Sequence, residues 1–433
     1  MLLTMSLWHF MKTRLLQHLL RMVCKAWLCI GVITNISALE IKITQGLVKP
    51  VSFNIDIKNS NKTKQTYFGS KIAQITKQDL INSGMFVLEN HNARLEAECE
   101  ITVNRAKLTA ALKVKFDGEV VERIIESEDE AILAHKIANI VHQIAWNVAG
   151  DFDSKLLVVN KIRGENKLML YDRDGTNEKM LDSAPIISTP NVSKDGTKVA
   201  YVKHVNGFAC IFMCDLQNAQ KSAQPVQLTP SNRVFSAPAF DQTGQFIICA
   251  GSKDGSTSLY KIDLNGHKGG KYSITQITHA KGWIDTAPAM TAQKNKIVIM
   301  SDKLDKVKPR LFIVDLSASD QYKPIDKLVG AYNDPSCAIN PFNENVTQVA
   351  FFKRNKGVAY LGMLQLDNNF QLMQERLLWQ GRRVYAPSWS TDGINVVFST
   401  GEQIKRLNIF TGRVQTVIDH GKPNNPIVVA GAV

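Results

Sequence analysis

The side chains that could do chemistry are thinly spread through the 433 residues. Asp172, Asp174, Asp215, Asp263 and Asp315 recur at matching points of a repeat. One such carboxylate could serve as a general acid or base, or ligate a cation. The same residue at the same point of every repeat argues instead for turn and strand-edge roles. The nine histidines do not cluster in sequence, and His135 lies on a helical stripe, where it reads as a boundary or surface residue. Of seven cysteines, Cys24 and Cys29 fall in a leader, which leaves Cys99, Cys210, Cys214, Cys249 and Cys337. An odd number is no disulfide framework. Cys210 and Cys214 share one face of a predicted strand, roughly 13 Å apart at about 3.3 Å per residue. That is too far to bridge, so they read as small buried hydrophobes. Gly266-His267-Lys268-Gly269-Gly270-Lys271 superficially resembles a phosphate loop. It lacks a Ser or Thr after the lysine and a strand–helix context, and reads as a hairpin loop. No Gly-x-Ser-x-Gly elbow, His-Glu-x-x-His, Cys-x-x-Cys or Walker loop occurs.

The elements that would position any site are repetitive. Prolines at 190, 238, 288, 335 and 387 are spaced by 48, 50, 47 and 52 residues, the mark of a repeat architecture. Each opens a short strand, where a missing N–H costs the ladder least. Turns such as Lys194-Asp195-Gly196 and Thr391-Asp392-Gly393 follow, with Gly supplying positive φ. The return strand is apolar and β-branched, as in Lys198 to Val202 and Lys296 to Met300. A third strand ends in an Asp-Leu step, and Pro225 to Thr229, Ile274 to Thr278 and Arg413 to Ile418 suggest a fourth. Four antiparallel strands repeated radially make a propeller blade. Asp153 to Leu181 holds three strands without a Pro-led inner one, and Asn425 to Ala430 is a lone Pro-led strand. Pairing the two fragments predicts a six-bladed β-propeller closed by its last strand, with no open edge.

Ahead of the repeats, the spacing predicts a small α+β region over 39–150, with a mixed sheet and two helices. Strands are expected at Val51 to Ile57, Met85 to Leu88, Leu95 to Val103, Lys107 to Phe116 and Glu119 to Ile125. Ile72, Ile75, Leu80 and Ile81 place a helix over Gly69 to Asn82, stopped by Ser83-Gly84. Ser127 and Glu130 read as a capping box for a second helix that Gly150 closes. The propeller, 151–433, begins near Asp151. Residues 1–38 look like a secretory signal peptide: Lys12, Arg14, Arg21 and Lys25 precede the apolar run Ala26 to Ile33, with small residues at Ser37-Ala38. Translation starting at Met11 or Met22 would shorten the lead-in. The run is short for a bilayer span, so the chain is expected not to span a membrane once the leader is removed.

The formal net charge is +13. Residues 39–150 balance 14 basic against 14 acidic side chains, so the excess lies in the leader and the repeats. No dense Lys/Arg run with interleaved aromatics appears, which argues against a nucleic-acid groove. A propeller can assemble a site from distant loops. The residues alone leave open a binding adaptor, a hydrolase of the peptidase or lactonase kind, and a binder of a small ligand or metal in the channel.

Three stretches carry a resemblance. Lys71 to Phe86 contains Asp79-Leu80, Ser83-Gly84 and Phe86 in the order Asp-Leu-x-x-Ser-Gly-x-Phe. Ala134 to Asn139 and then Gly150-Asp151-Phe152-Asp153 form a helix and a boundary, and Tyr171 to Asn177 holds an Asp-x-Asp-Gly-x-Asn turn. With the propeller repeats, these resemble the TolB family, periplasmic components of the Tol–Pal system of Gram-negative bacteria. The resemblance covers nearly all of residues 39–430. It implies a non-enzymatic periplasmic adaptor without cofactor or metal. Its partners would be the peptidoglycan-associated lipoprotein Pal on the propeller and TolA on the segment after the leader, with outer-membrane lipoprotein or porins as further candidates. The implied role is outer-membrane integrity and envelope constriction in cell division. Carried over by position, the Pal face comprises Val234, Ser236, Ala237, Asp285, Thr286, Asn333 and Tyr385, and the TolA segment comprises Leu39, Glu40, Ile41, Lys42 and Ile43. Val234 stands where the family motif often has His, and Ser236 where Gly is common.

Overall fold

The computed structural model describes residues 48–60, 66–105, 107–216, 224–293, 295–318 and 320–431. The expected leader and the segment Leu39 to Ile43 lie outside the described residues. No described helix is long and apolar enough to cross a membrane.

Residues 51–146 build a five-stranded mixed sheet with two helices. Its strands are β1 (Val51–Asn59), β2 (Phe86–Leu88), β3 (Leu95–Asn104), β4 (Lys107–Phe116) and β5 (Glu119–Ser127), in the order β2-β1-β3-β4-β5. The β1–β2 and β1–β3 pairs are parallel and the remainder antiparallel. Alternation sets the faces: Leu95, Ala97, Cys99 and Ile101 are buried, while Glu96, Glu98 and Glu100 face solvent. The first helix, Thr66–Ser83, buries Ile72 and Leu80 in that core. It ends as expected: Ser83 Oγ donates to the Leu80 carbonyl at 2.6 Å, and Gly84 N donates to Ile81 O.

The second helix, Glu130–Trp146, departs from the expected caps. Asp129, not Ser127, is its N-cap, accepting from Ile132 N at 2.9 Å. Ser127 instead ends β5 and accepts from Asp129 N at 3.1 Å. The capping pair is displaced because β5 runs two residues further than its alternation suggested. The helix closes on Asn147 with φ 55°, before Gly150. Gly150 serves a close approach, because a Cβ there would lie 2.7 Å from Asn139 Oδ1.

Residues 155–429 form six four-stranded antiparallel sheets around a channel. Blade 1 joins Lys155–Ile162, Glu165–Asp172 and Lys179–Ala184 to the C-terminal strand Pro423–Val429. Blades 2 to 6 begin with the inner strands Ile187–Val192, Phe235–Phe240, Asp285–Met290, Asn333–Asn340 and Tyr385–Trp389. Each second strand is covered on both faces by neighbouring blades, hence the unbroken apolar runs. Leu157 and Val159 pack toward Val199 and Tyr201, whereas Leu156 and Val158 pack toward Val397 and Ile404. The ring closes as expected: Val428 pairs with Leu156, and Asn160 Oδ1 accepts from Lys422 N at 3.0 Å. The Asp-Gly turns also form, with Gly196 and Gly393 each at φ 69°, and Gly244 takes the same conformation at φ 67° after Thr243. Gly269-Gly270 closes a hairpin between Ser256–Lys268 and Lys271–Gln276, as expected of the lysine-flanked glycines.

The candidate docking face

Strand direction sorts the propeller loops onto two ends. The turns from first to second strand and from third to fourth lie at one end. The hairpins from second to third strand, and the crossovers between blades, lie at the other. The N-terminal region packs on the first end. There, Val48 N donates to Phe410 O at 3.1 Å and Asn408 Nδ2 donates to Ser83 O at 2.8 Å. Arg413 also donates to Ile81 O at 2.6 Å. Val48 to Phe152 and the side chains of blades 5 and 6 share one apolar cluster. The opposite, far end carries none of these contacts and holds the residues where each inner strand begins.

A cavity of about 990 Å³ opens at the occupied end, lined by Val148 to Gly150 and the turns of several blades. Its acids are committed to backbone. Asp241 accepts from Thr243 N and Phe246 N, each at 2.9 Å. Asp392 accepts from Ile394 N at 2.9 Å and from Ser390 Oγ. Burial and the charge of Asp151 push Asp392 up to about 7. Beside it, Arg173 pairs with Asp151 at 2.9 Å, and Arg406 donates to the Arg173 carbonyl at 2.5 Å. This is a structural charge cluster, with every carboxylate oriented by a turn or an arginine. Among the described residues no group of three or more His, Cys, Asp or Glu is placed to hold a metal. Asp315 takes the turn role expected of the recurrent aspartates: the hydrogen bond from Lys296, with two from Ser317, holds it at about 2. The five cysteines among the described residues are free thiols, four of them buried, and burial pushes Cys99 and Cys214 up to about 12. His135 is partly buried, with Nδ1 2.6 Å from Asp79 Oδ2.

Each inner strand carries a bulge just before its proline. Thr189, Ala237, Ala287, Asp334, Ala386 and Asn425 all lie at φ 43 to 50°. The ladder register slips at the same points, between Ser236 and Ala239 and between Thr286 and Ala289, for example. A bulge turns the strand and re-aims its side chains.

The far end brings together most of the residues expected to face a partner. Val234 is exposed; Ser236, Ala237, Thr286, Asn333 and Tyr385 are half-buried at successive inner-strand starts. Asp285 differs. It is fully buried and accepts from Ser301 Oγ at 2.7 Å, Thr278 Oγ1 at 3.1 Å, Trp283 Nε1 at 3.3 Å and the Tyr322 hydroxyl. Burial raises its pKa against the opposing pull of those four donors. Its carboxylate is taken up by bonds within blade 4 and the crossover before it. Sequence position could not separate it from Thr286, because only the fold aims one of the two inward.

The same end exposes further apolar side chains besides Val234. Ile186, Val234 and Ile284 precede three consecutive inner strands, Phe208 begins the third strand of blade 2, and Leu304, Val307 and Val329 lie on loops of the same end. One signal was available. The second-to-third connection takes two residues in blades 2, 3 and 5, but runs from Asp302 to Pro309 in blade 4.

A family model described as the TolB beta propeller domain matches residues 146–426. The Tol-Pal system protein TolB of Roseobacter denitrificans is 26% identical over 220 residues, 43% of this chain and 50% of that protein. The Tol-Pal system protein TolB of Ruthia magnifica is 28% identical over 142 residues, 31% of this chain and 33% of that protein. The chain thus spans about half or less of the length of these relatives. Among solved structures, TolB from Acinetobacter baumannii superposes with a TM-score of 0.71, over 90% of this chain and 98% of that one, at 16% identity. Kuenenia stuttgartiensis hydrazine synthase gives a TM-score of 0.52 over 66% of this chain and 48% of its own, at 16% identity. The likenesses to solved structures concern the fold, while the family match spans the blades from first to last: the chain belongs to the TolB β-propeller family.

Proposed function

We propose that this protein is a non-enzymatic periplasmic adaptor of a Tol-Pal system. In this reading, residues 1–38 direct export, 39–150 form the N-terminal domain, and 151–433 form the partner-binding propeller. The far end binds the Pal lipoprotein through Val234, Ser236, Ala237, Thr286, Asn333 and Tyr385, and Asp285 supports them from beneath. The segment Leu39, Glu40, Ile41, Lys42 and Ile43 binds TolA. Outer-membrane lipoprotein or porins would be further partners, and the cellular role would be envelope integrity and constriction at division.

One observation carries this reading: the described part of the N-terminal region, from Val48 on, packs against the opposite end of the ring, away from the inner-strand starts. The test is capture of the purified soluble Pal domain by the mature protein. Ala237→Arg and Thr286→Arg place bulk and charge in a packed contact, so each should weaken binding about tenfold or more while the protein stays folded. Deleting residues 39–43 should abolish TolA binding and spare Pal binding. A folded protein with no affinity for Pal would refute the adaptor reading.

A further inference from the structure

The elongated loop of blade 4 is tied down by hydrogen bonds and leaves its apolar side chains exposed. Ile284 N donates to Asp302 Oδ1 at 2.6 Å, and Tyr332 N donates to Pro309 O at 2.9 Å, tying the loop to crossovers on either side. Asp305 Oδ1 accepts from Val307 N at 2.9 Å and Lys308 N at 3.1 Å, folding the tip. The Lys306 ammonium donates to Gly282 O, and that of Lys303 lies 3.9 Å from the Tyr322 ring centroid. Held this way, Val307 is 82% exposed and Leu304 60%, and Val329 on the following crossover is 67% exposed. A monomeric surface gains nothing from fixing exposed aliphatic groups in place. A binding surface gains, because less side-chain and loop entropy is lost on association.

Charge indicates the occupant. Both loop carboxylates accept from backbone N–H groups, whereas Lys303 and Lys308 on the loop and Lys281 and Lys327 on the crossovers either side of it are exposed, against one exposed acid, Asp326. We propose that the Asp302–Pro309 loop is a pre-organised anchor for a protein partner whose apolar socket has an acidic rim. This inference rests on the far-end reading above and adds to it where the partner is gripped and by what chemistry.

The test measures binding of the mature full chain to the soluble Pal domain at low and high salt. Leu304→Asp and Val307→Asp should each weaken binding about tenfold, and Lys308→Glu should lower both the affinity and its salt dependence. Val414→Asp, at an exposed apolar position on an outer strand of blade 6, should leave binding unchanged. All four positions are on the surface, and an unchanged unfolding midpoint confirms that the variants are folded. If the two aspartate variants bind like the wild type while Ala237→Arg has lost binding, the adaptor reading stands and the anchor is refuted. If the wild type itself does not bind, both fall. A parallel arm uses vesicles of phosphatidylglycerol and phosphatidylcholine. Wild-type sedimentation that is lost in Val307→Asp would make the loop a lipid anchor and overturn the assignment to a protein.

Discussion

Thr189 shows what the inner-strand bulge costs. It is β-branched, lies at φ 43°, and its Oγ1 is shielded from solvent with no hydrogen-bond partner. A left-handed conformation costs a non-glycine residue about 1–2 kcal/mol, and the following proline restricts the residue further. Thr189→Gly removes both the strain and the stranded hydroxyl, at the expense of extra freedom in the unfolded chain. The variant should be more stable by about 1 kcal/mol in denaturant titration; a loss of stability would show that the bulge is not strained. Ala237 shares this geometry at the far end, which is why an arginine there is expected to be felt by a partner. The motif around each proline was legible in sequence, but the sign of φ before it was not. A pre-proline residue ordinarily reads as extended, and only the slipped register of the paired strand forces the alternative.

The elements that seal the ring are individually weak and collectively decisive. Pro423–Val429 supplies the inner strand of a blade whose other three strands lie more than 230 residues earlier. Truncation before Pro423 uncovers the edge of Lys155–Ile162 and the apolar faces of Leu156 and Leu157, both fully buried in the intact ring. An unpaired apolar edge invites association. The truncated chain should lose its cooperative unfolding transition and elute as aggregate in size-exclusion chromatography, whereas a monomer of unchanged melting temperature would contradict the closure argument. The same reasoning explains which elements were readable. The unbroken apolar second strands announce two covered faces. The short outer strands Val226–Gln227 and Tyr322–Pro324 carry little periodicity, because they are packed on one side only.

Across the whole molecule, the N-terminal sheet and the propeller meet around His142. Its ring is nearly fully buried, edge-on to Phe86 at 5.7 Å and Phe152 at 5.8 Å, and its Nδ1 lies 2.9 Å from the Val148 carbonyl oxygen. Burial holds the imidazole below its ordinary 6.5, against the hydrogen bond to Val148 and the charge of Asp151, while Arg173 adds to the lowering. As pH falls through 6.5 the unfolded chain takes the proton first, so stability present above that value drains away below it. His142→Phe keeps the aromatic contacts and removes the titration. Its melting temperature should fall less than that of the wild type between about pH 7 and pH 5. Parallel pH profiles would exonerate the histidine.

Repetition, alternation and turn chemistry are local properties, so the sequence alone determined the six blades, the closing strand, the mixed sheet with its two helices, and the absence of a contiguous catalytic motif. Its resemblance to a family stood on three short stretches with fixed residue order. Tertiary structure alone decided that Asp285 faces inward while Thr286 lies at the surface, that Asp129 rather than Ser127 caps a helix, and that the blade 4 loop projects pinned apolar side chains. Each of these depends on which neighbour arrives from far away in the chain. No window of sequence contains that neighbour, and burial, charge pairing and exposure are set by it.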